Sequence, residues 1–217
     1  MTTVVLYYMR VRTMSSEIFE EYAPSLKSFL VVRHPFERLV SAFENKLINI
    51  QNNHDKEWFY KKYIKKIITN YRQKSNNSPQ DTDTKSVREV RKETEYEEPT
   101  FEEFINYLLD INVQNFDDHW KPISIICHIC SFNYDYVLKY EYFQQEIQAL
   151  IQHFKDTGYL PQRFKIPWDN KVKNRTKTKD RIKKYFRTLS KEKIESLYNI
   201  YKTDFLYFDY VFDINDI

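Results

Sequence analysis

One glycine, Gly158, in 217 residues is the sharpest deficit of this chain. Globular domains use about 7% glycine. Neither GxGxxG nor GxxxxGK[ST] occurs anywhere, so a nucleotide phosphate would have to be held by side chains and helix N-termini rather than by a glycine-lined loop. There are two cysteines, Cys127 and Cys130, with no second His/Cys pair beside them, so no zinc site and no metal is read from them. No apolar run reaches the roughly 18–20 residues of a membrane span. The opening "MTTVVLYYMR" lacks the basic start and small-residue cleavage site of a secretory signal. Nucleic-acid recognition motifs are also missing, which argues against nucleic acid as a partner.

What remains is enough for one substantial domain: 41% hydrophobic residues, 17% aromatic and 30% charged. The net charge is only +3, but it is unevenly spread. Residues 163–193 hold thirteen Lys or Arg against three acids. Such a run is either a solvated face or the footprint of an anionic partner. Within it, Lys171, Lys173 and Arg175 are candidates to line a groove for a polyanionic substrate. Asn76 and Asn174 sit in N-x-[ST] sequons and are candidate glycosylation sites.

Residues 29–33, "FLVVR", read as a buried strand ending on a cation, and the chain from Pro35 to Ile50 repeats apolar residues at helical spacing. "DKEWFYKKYIKKIITNYR" reads as an amphipathic helix with a basic outer side. Residues 73–99 are polar, charged and nearly free of large aliphatics, and read as a mobile insertion. Thr100 with Glu103 forms a capping-box pattern ahead of "FEEFINYLLDI". "YDYVLKYE" is a second strand, "YFQQEIQALIQHFKDTG" a helix stopped by Gly158, and "LSKEKIESLYNIYKTDFLYF" a closing helix. Strands alternating with helices predict a helix-rich α/β domain around a short parallel sheet.

An arginine at the carboxyl end of a strand in an open α/β sheet faces the crevice where ligands bind. There Arg33 can offer a phosphate two parallel hydrogen bonds, and Ser41, eight residues on, a hydroxyl beside the start of the helix. The other reading pairs Arg33 with an acid and leaves Ser41 on a solvated turn. His119, in "DDHWKP", is a candidate general base, or a structural histidine bonded to Asp117 or Asp118. His34 reads as a loop residue and Glu141 as a helix-start cap.

"FLVVRHPFERLVSAFENKL" closely resembles the 3′-phosphate-binding motif of the Golgi carbohydrate sulfotransferases, the group holding the chondroitin and dermatan 4-O-sulfotransferases. "DDHWKPISIICHICSFNYDYVLKYE" and "YFRTLSKEKIESLYNIYKTDFLYFDY" resemble that family's later blocks, in the expected order. The resemblance implies a sulfotransferase α/β fold related to P-loop nucleotide kinases. It implies transfer of sulfate from 3′-phosphoadenosine 5′-phosphosulfate to a hydroxyl of a glycosaminoglycan-type or glycoprotein sugar chain. By position it assigns Arg33 and Ser41 to the donor's 3′-phosphate. It further implies a membrane-anchored protein with its catalytic domain in the Golgi lumen, where Cys127 and Cys130 are expected to form a disulfide. The family's lysine for the 5′-phosphate comes from an upstream Pro-Lys-x-x-x-Ser/Thr segment, and no such segment precedes Arg33. The chain is therefore expected to be either an N-terminally incomplete, nearly inactive form of an enzyme or a degenerate copy. The competing expectation is a non-catalytic polyanion-binding module that keeps the fold.

Overall fold

The computed structural model describes residues 26–48, 56–72, 97–165 and 178–214. Strand β1, Phe29–Val32, pairs in parallel with β2, Tyr136–Lys139, in the register Phe29 with Tyr136 through Val32 with Lys139. These two strands form the whole sheet among the described residues. Asp135 sets the register: its carboxylate accepts from the Ser28 amide at 2.9 Å, the Ser28 hydroxyl at 2.8 Å and Lys27 Nζ at 3.2 Å. Alternation along β1 feeds two small cores. Leu30 and Val32 pack with Ile123, Ile129 and Phe208, while Phe29 and Val31 face Leu138, Ile147 and Leu150.

Helix α1, Pro35–Ala42, starts with proline in its first turn, where the missing N–H costs nothing, and runs on as a π-helical turn, Phe43–Leu47. The basic amphipathic helix predicted next is likewise interrupted. Helix α2, Lys56–Phe59, passes through a π-helical turn, Tyr60–Ile64, into α3, Lys65–Tyr71. Helix α4, Phe101–Asp110, carries the expected capping box, with the Glu103 amide donating to Thr100 Oγ1 at 3.1 Å and the Thr100 amide to Glu103 Oε2 at 2.8 Å.

A short helix α5, Ile123–Ile126, precedes β2, and α6, Phe143–Asp156, follows it. Gly158 stops α6 with φ +80°, a left-handed conformation that disfavours any side chain. Helices α7, Thr178–Phe186, and α8, Lys191–Tyr207, close the described chain. The main core joins α1, α3, α4, α7 and α8 around Phe36, Phe104, Trp120, Phe186 and Tyr201. The helix-rich α/β architecture with a short parallel sheet is as expected. Most of the insertion read at 73–99 lies outside the described residues, but its last three residues do not float. Arg72, just past α3, bonds Glu97 Oε2 at 3.1 Å, the Glu98 carbonyl at 2.9 Å and Glu103 Oε1 at 2.9 Å.

Candidate functional site

Arg33 leaves β1 at the carboxyl edge of the sheet, and α1 begins two residues later. Its Nη2 donates to Glu37 Oε1 at 2.5 Å, and its guanidinium lies 4.9 Å from the centre of the Tyr140 ring. The acid-paired reading of Arg33 is thus realised in part. Glu37 and Ser41 are one helical turn apart on the same face of α1, so Arg33, Glu37 and Ser41 run along one side of that helix. Arg181 of α7 reaches the same row. Its Nη1 stands 3.8 Å from Glu37 Oε1, and its Nη2 is in tight contact with Glu44, so it spans the turns before and after Ser41. Two guanidiniums therefore reach the Glu37 carboxylate. Arg33 Nε is buried with no hydrogen-bond partner, a donor left unspent at the strand exit. Ser41 Oγ accepts from Asn45 Nδ2 at 3.2 Å.

Glu141 lies just past β2, and the helix start it caps is that of α1. Its Oε1 accepts from the His34 amide, at the start of α1, at 2.7 Å, and its Oε2 accepts from the Tyr210 hydroxyl at 2.9 Å. His34 is no loop bystander: its ring stands edge-on to Phe36, Phe205 and Tyr210. Burial lowers its pKa, against the pull of Glu141 and Glu37.

His119 has the partner foreseen in the structural reading, Asp117, and that contact also fixes the orientation of its ring. Asp117 Oδ1 accepts from His119 Nδ1 at 2.6 Å and from the His119 amide at 3.1 Å, while Oδ2 accepts from the Tyr63 hydroxyl at 2.7 Å. Burial works against the Asp117 charge, but the His119 and Tyr63 hydrogen bonds outweigh it and hold its pKa at about 2. An ionised carboxylate only accepts, so Nδ1 is the donor here, and in the neutral imidazole that tautomer leaves the lone pair on Nε2.

Arg38 ties this dyad to α1. Its Nη1 donates to the Lys121 carbonyl at 2.6 Å and its Nη2 to the Asp118 carbonyl at 2.5 Å. Further along the same helical run, Lys46 Nζ sits 5.1 Å from the centre of the Phe59 ring, against which His119 stands edge-on at 5.5 Å. One helix thus carries Ser41 and anchors the loop that carries His119.

Cys127 and Cys130, the pair expected to form a disulfide, carry no bond to each other in this structure. Cys127 ends α5, and burial raises its thiol pKa, whereas Cys130 is exposed one turn further on. Lys171, Lys173, Arg175, Asn174 and Asn76 lie outside the described residues. Glu37, Arg38, Tyr63 and Arg181 were missed. In sequence they read as ordinary polar positions of helices, and only Arg181, within the basic run, carried any signal.

The profile of the Sulfotransferase family matches residues 6–211. Carbohydrate sulfotransferase 11 of Mus musculus is 34% identical over 206 residues, covering 92% of this chain and 52% of the mouse protein. Carbohydrate sulfotransferase 8 of Mus musculus is 31% identical, covering 87% of this chain and 40% of the relative. Carbohydrate sulfotransferase 9 of Homo sapiens is 27% identical, covering 94% and 39%. The chain spans about half, or less, of the length of these relatives. No solved structure matches it significantly. With the profile running through β1, α1, the His119 loop and α8, the chain belongs to the Sulfotransferase family.

Proposed function

We propose that this chain is the sulfotransferase domain of a Golgi carbohydrate sulfotransferase. It uses 3′-phosphoadenosine 5′-phosphosulfate to sulfate a hydroxyl of a glycosaminoglycan-type or glycoprotein glycan, on an α/β fold of the P-loop-kinase kind. The observation that carries the reading is Arg33 at the exit of a parallel strand, with Ser41 along the same face of the next helix and Arg38 joining that helix to the Asp117–His119 pair.

Arg33 and Ser41 hold the donor's 3′-phosphate, with the unpartnered Arg33 Nε supplying a donor while Glu37 fixes the guanidinium. His119 Nε2 takes the proton of the acceptor hydroxyl as its oxygen bonds to sulfur. The bond from sulfur to the 5′-phosphate oxygen breaks, and 3′-phosphoadenosine 5′-phosphate leaves. Asp117 stabilises the imidazolium formed, and Tyr63 and the His119 amide hold Asp117 in line.

Titration calorimetry with 3′-phosphoadenosine 5′-phosphate tests the reading. Arg33→Ala should lose most of the affinity, and Ser41→Ala about tenfold, the equivalent of one good hydrogen bond to a charged group. Unchanged affinity in Arg33→Ala would overturn the donor site. It would instead favour the polyanion-binding module, to which the Arg33–Glu37 pair lends itself, since a guanidinium already matched by a carboxylate can be purely structural.

A further inference from the structure

Beyond α8 the chain doubles back across the exit of β1. Helix α8 ends at Tyr207, and Asp209 turns the chain in the left-handed region, at φ +53°, which aspartate tolerates better than most side chains. Residues 209–212 are then fastened at each step. The Asp209 carbonyl accepts from Lys139 Nζ at 3.0 Å, and that ammonium lies 4.8 Å from the centre of the Tyr210 ring. The Tyr210 amide donates to the Phe205 carbonyl at 2.9 Å, and its hydroxyl donates to Glu141 Oε2 at 2.9 Å. The Val211 backbone bonds the His34 ring. The Phe212 ring stacks on Tyr198 with centres 4.1 Å apart and stands edge-on to Phe36 of α1 at 5.9 Å.

What this strap holds is the corner that carries Arg33. Continued two residues past Val32 and Lys139, the strand register sets Arg33 opposite Tyr140 and His34 opposite Glu141. The contacts follow that order, for the Arg33 guanidinium lies over the Tyr140 ring and the His34 amide donates to Glu141 Oε1 at 2.7 Å. His34 is the N-cap of α1, yet its side chain makes no capping bond, because its ring is turned toward Phe205 and Tyr210. Its amide is one of the helix-start donors that need a partner from elsewhere. Glu141 supplies that partner, with a charge that suits a helix N-terminus. A carboxylate repels a phosphate, so Glu141 does not itself take the donor, and the Tyr210 hydroxyl is spent on Glu141.

Both residues act instead on the backbone from which Arg33 projects. An arginine side chain has much rotamer freedom to lose, and fixing it before the ligand arrives removes that cost from binding. Glu37 holds one end of the guanidinium, Tyr140 covers its face, and Glu141 pins the residue that follows it. We infer that Glu141 and Tyr210 are positioning residues for Arg33, so that the chain beyond α8 serves the donor site through what it holds. The inference rests on the sulfotransferase reading above and extends the site from the strand exit to the closing segment.

The test is calorimetry on the full chain with 3′-phosphoadenosine 5′-phosphate, and with adenosine 5′-phosphate measured by displacement. The two ligands differ only in the phosphate that Arg33 is there to hold. Tyr210→Phe keeps the ring against His34 and removes only the hydroxyl; it should weaken 3′-phosphoadenosine 5′-phosphate about fivefold, the loss of one supporting hydrogen bond. Glu141→Ala should weaken it at least about tenfold, and Glu141→Gln, which keeps an acceptor for the His34 amide, should recover most of that loss. Adenosine 5′-phosphate should bind all of these variants as it binds wild type. Full preference for the 3′-phosphate in Tyr210→Phe overturns the inference, as does an equal weakening of both nucleotides, which would mark general support of the fold. Tyr210→Phe carries the test even where Glu141→Ala fails to fold. Arg33→Ala is the separate measure of the donor site. If it keeps the preference for the 3′-phosphate, the donor reading falls; if it loses the preference while Tyr210→Phe does not, only the positioning role falls.

Discussion

Asp117 accepts a ring N–H, a backbone N–H and a phenol O–H on its two oxygens, and this satisfaction keeps it charged where burial would neutralise it. Its folded pKa, about 2, lies below the 3.8 of an ordinary aspartate. The stability it contributes is therefore present at and above pH 4 and is lost as pH falls toward 2. Because its side chain is only 11% exposed, that contribution is about 2 kcal/mol near neutral pH. Asp117→Asn should cost this amount in urea unfolding at pH 7 and much less at pH 2. An equal penalty at both would show that the carboxylate charge is not what matters. The same substitution removes the obligate acceptor that fixes the His119 tautomer. Any sulfate transfer should then slow on the order of a hundredfold or more. His119 was legible because a histidine beside two aspartates is a distinctive local pattern. Tyr63 was not, because 54 residues separate it from the carboxylate it serves.

Among the elements, α4 announced itself most clearly, since a capping box is written within four residues. Glu103 does more than cap. Burial alone would raise its pKa, but the Arg72 hydrogen bonds and the Thr100 amide bring it below the ordinary carboxylate range. Arg72 thereby clasps the two ends of the polar insertion onto the start of α4. Thr100→Ala should destabilise the protein by about 1 kcal/mol and Thr100→Ser by much less. A drop in melting temperature of about 2–4 °C for the alanine variant would register it, and no drop would mean the cap is idle. The π-helical turns at Phe43–Leu47 and Tyr60–Ile64 escaped the sequence because the 3.6-residue period fits both segments well enough to hide one added residue.

At the scale of the whole molecule, three contacts hold the His119 loop between the first and last helices. Arg38 donates to two carbonyls of the loop, the Tyr201 hydroxyl donates to the Trp120 carbonyl, and Asp204 accepts from the Ile123 and Ser124 amides at 2.7 and 2.8 Å. Burial lowers the Arg38 pKa, a sign of how much the protein spends to place a cation there. Arg38→Ala leaves two loop carbonyls without their donor and should cost about 2–4 kcal/mol. Hydrogen exchange should quicken at Trp120 and Lys121 while the capped start of α4 stays protected. Uniform loosening of both would argue that Arg38 supports the core in general and not the loop.

The sequence by itself determined the two strands, the longer helices, the cap at Thr100, the stop at Gly158 and the cation at the strand exit. Each depends on residues within a few positions of one another, where propensity and period suffice. Only the tertiary structure decided that Arg33 and Arg181 both reach Glu37 and that Arg38 meets the carbonyls of Asp118 and Lys121. It also turned Glu141 to the start of α1, 107 residues away along the chain. Those choices depend on which charges and rings the packed core brings together, and burial makes each pairing strong only once the chain has closed around it.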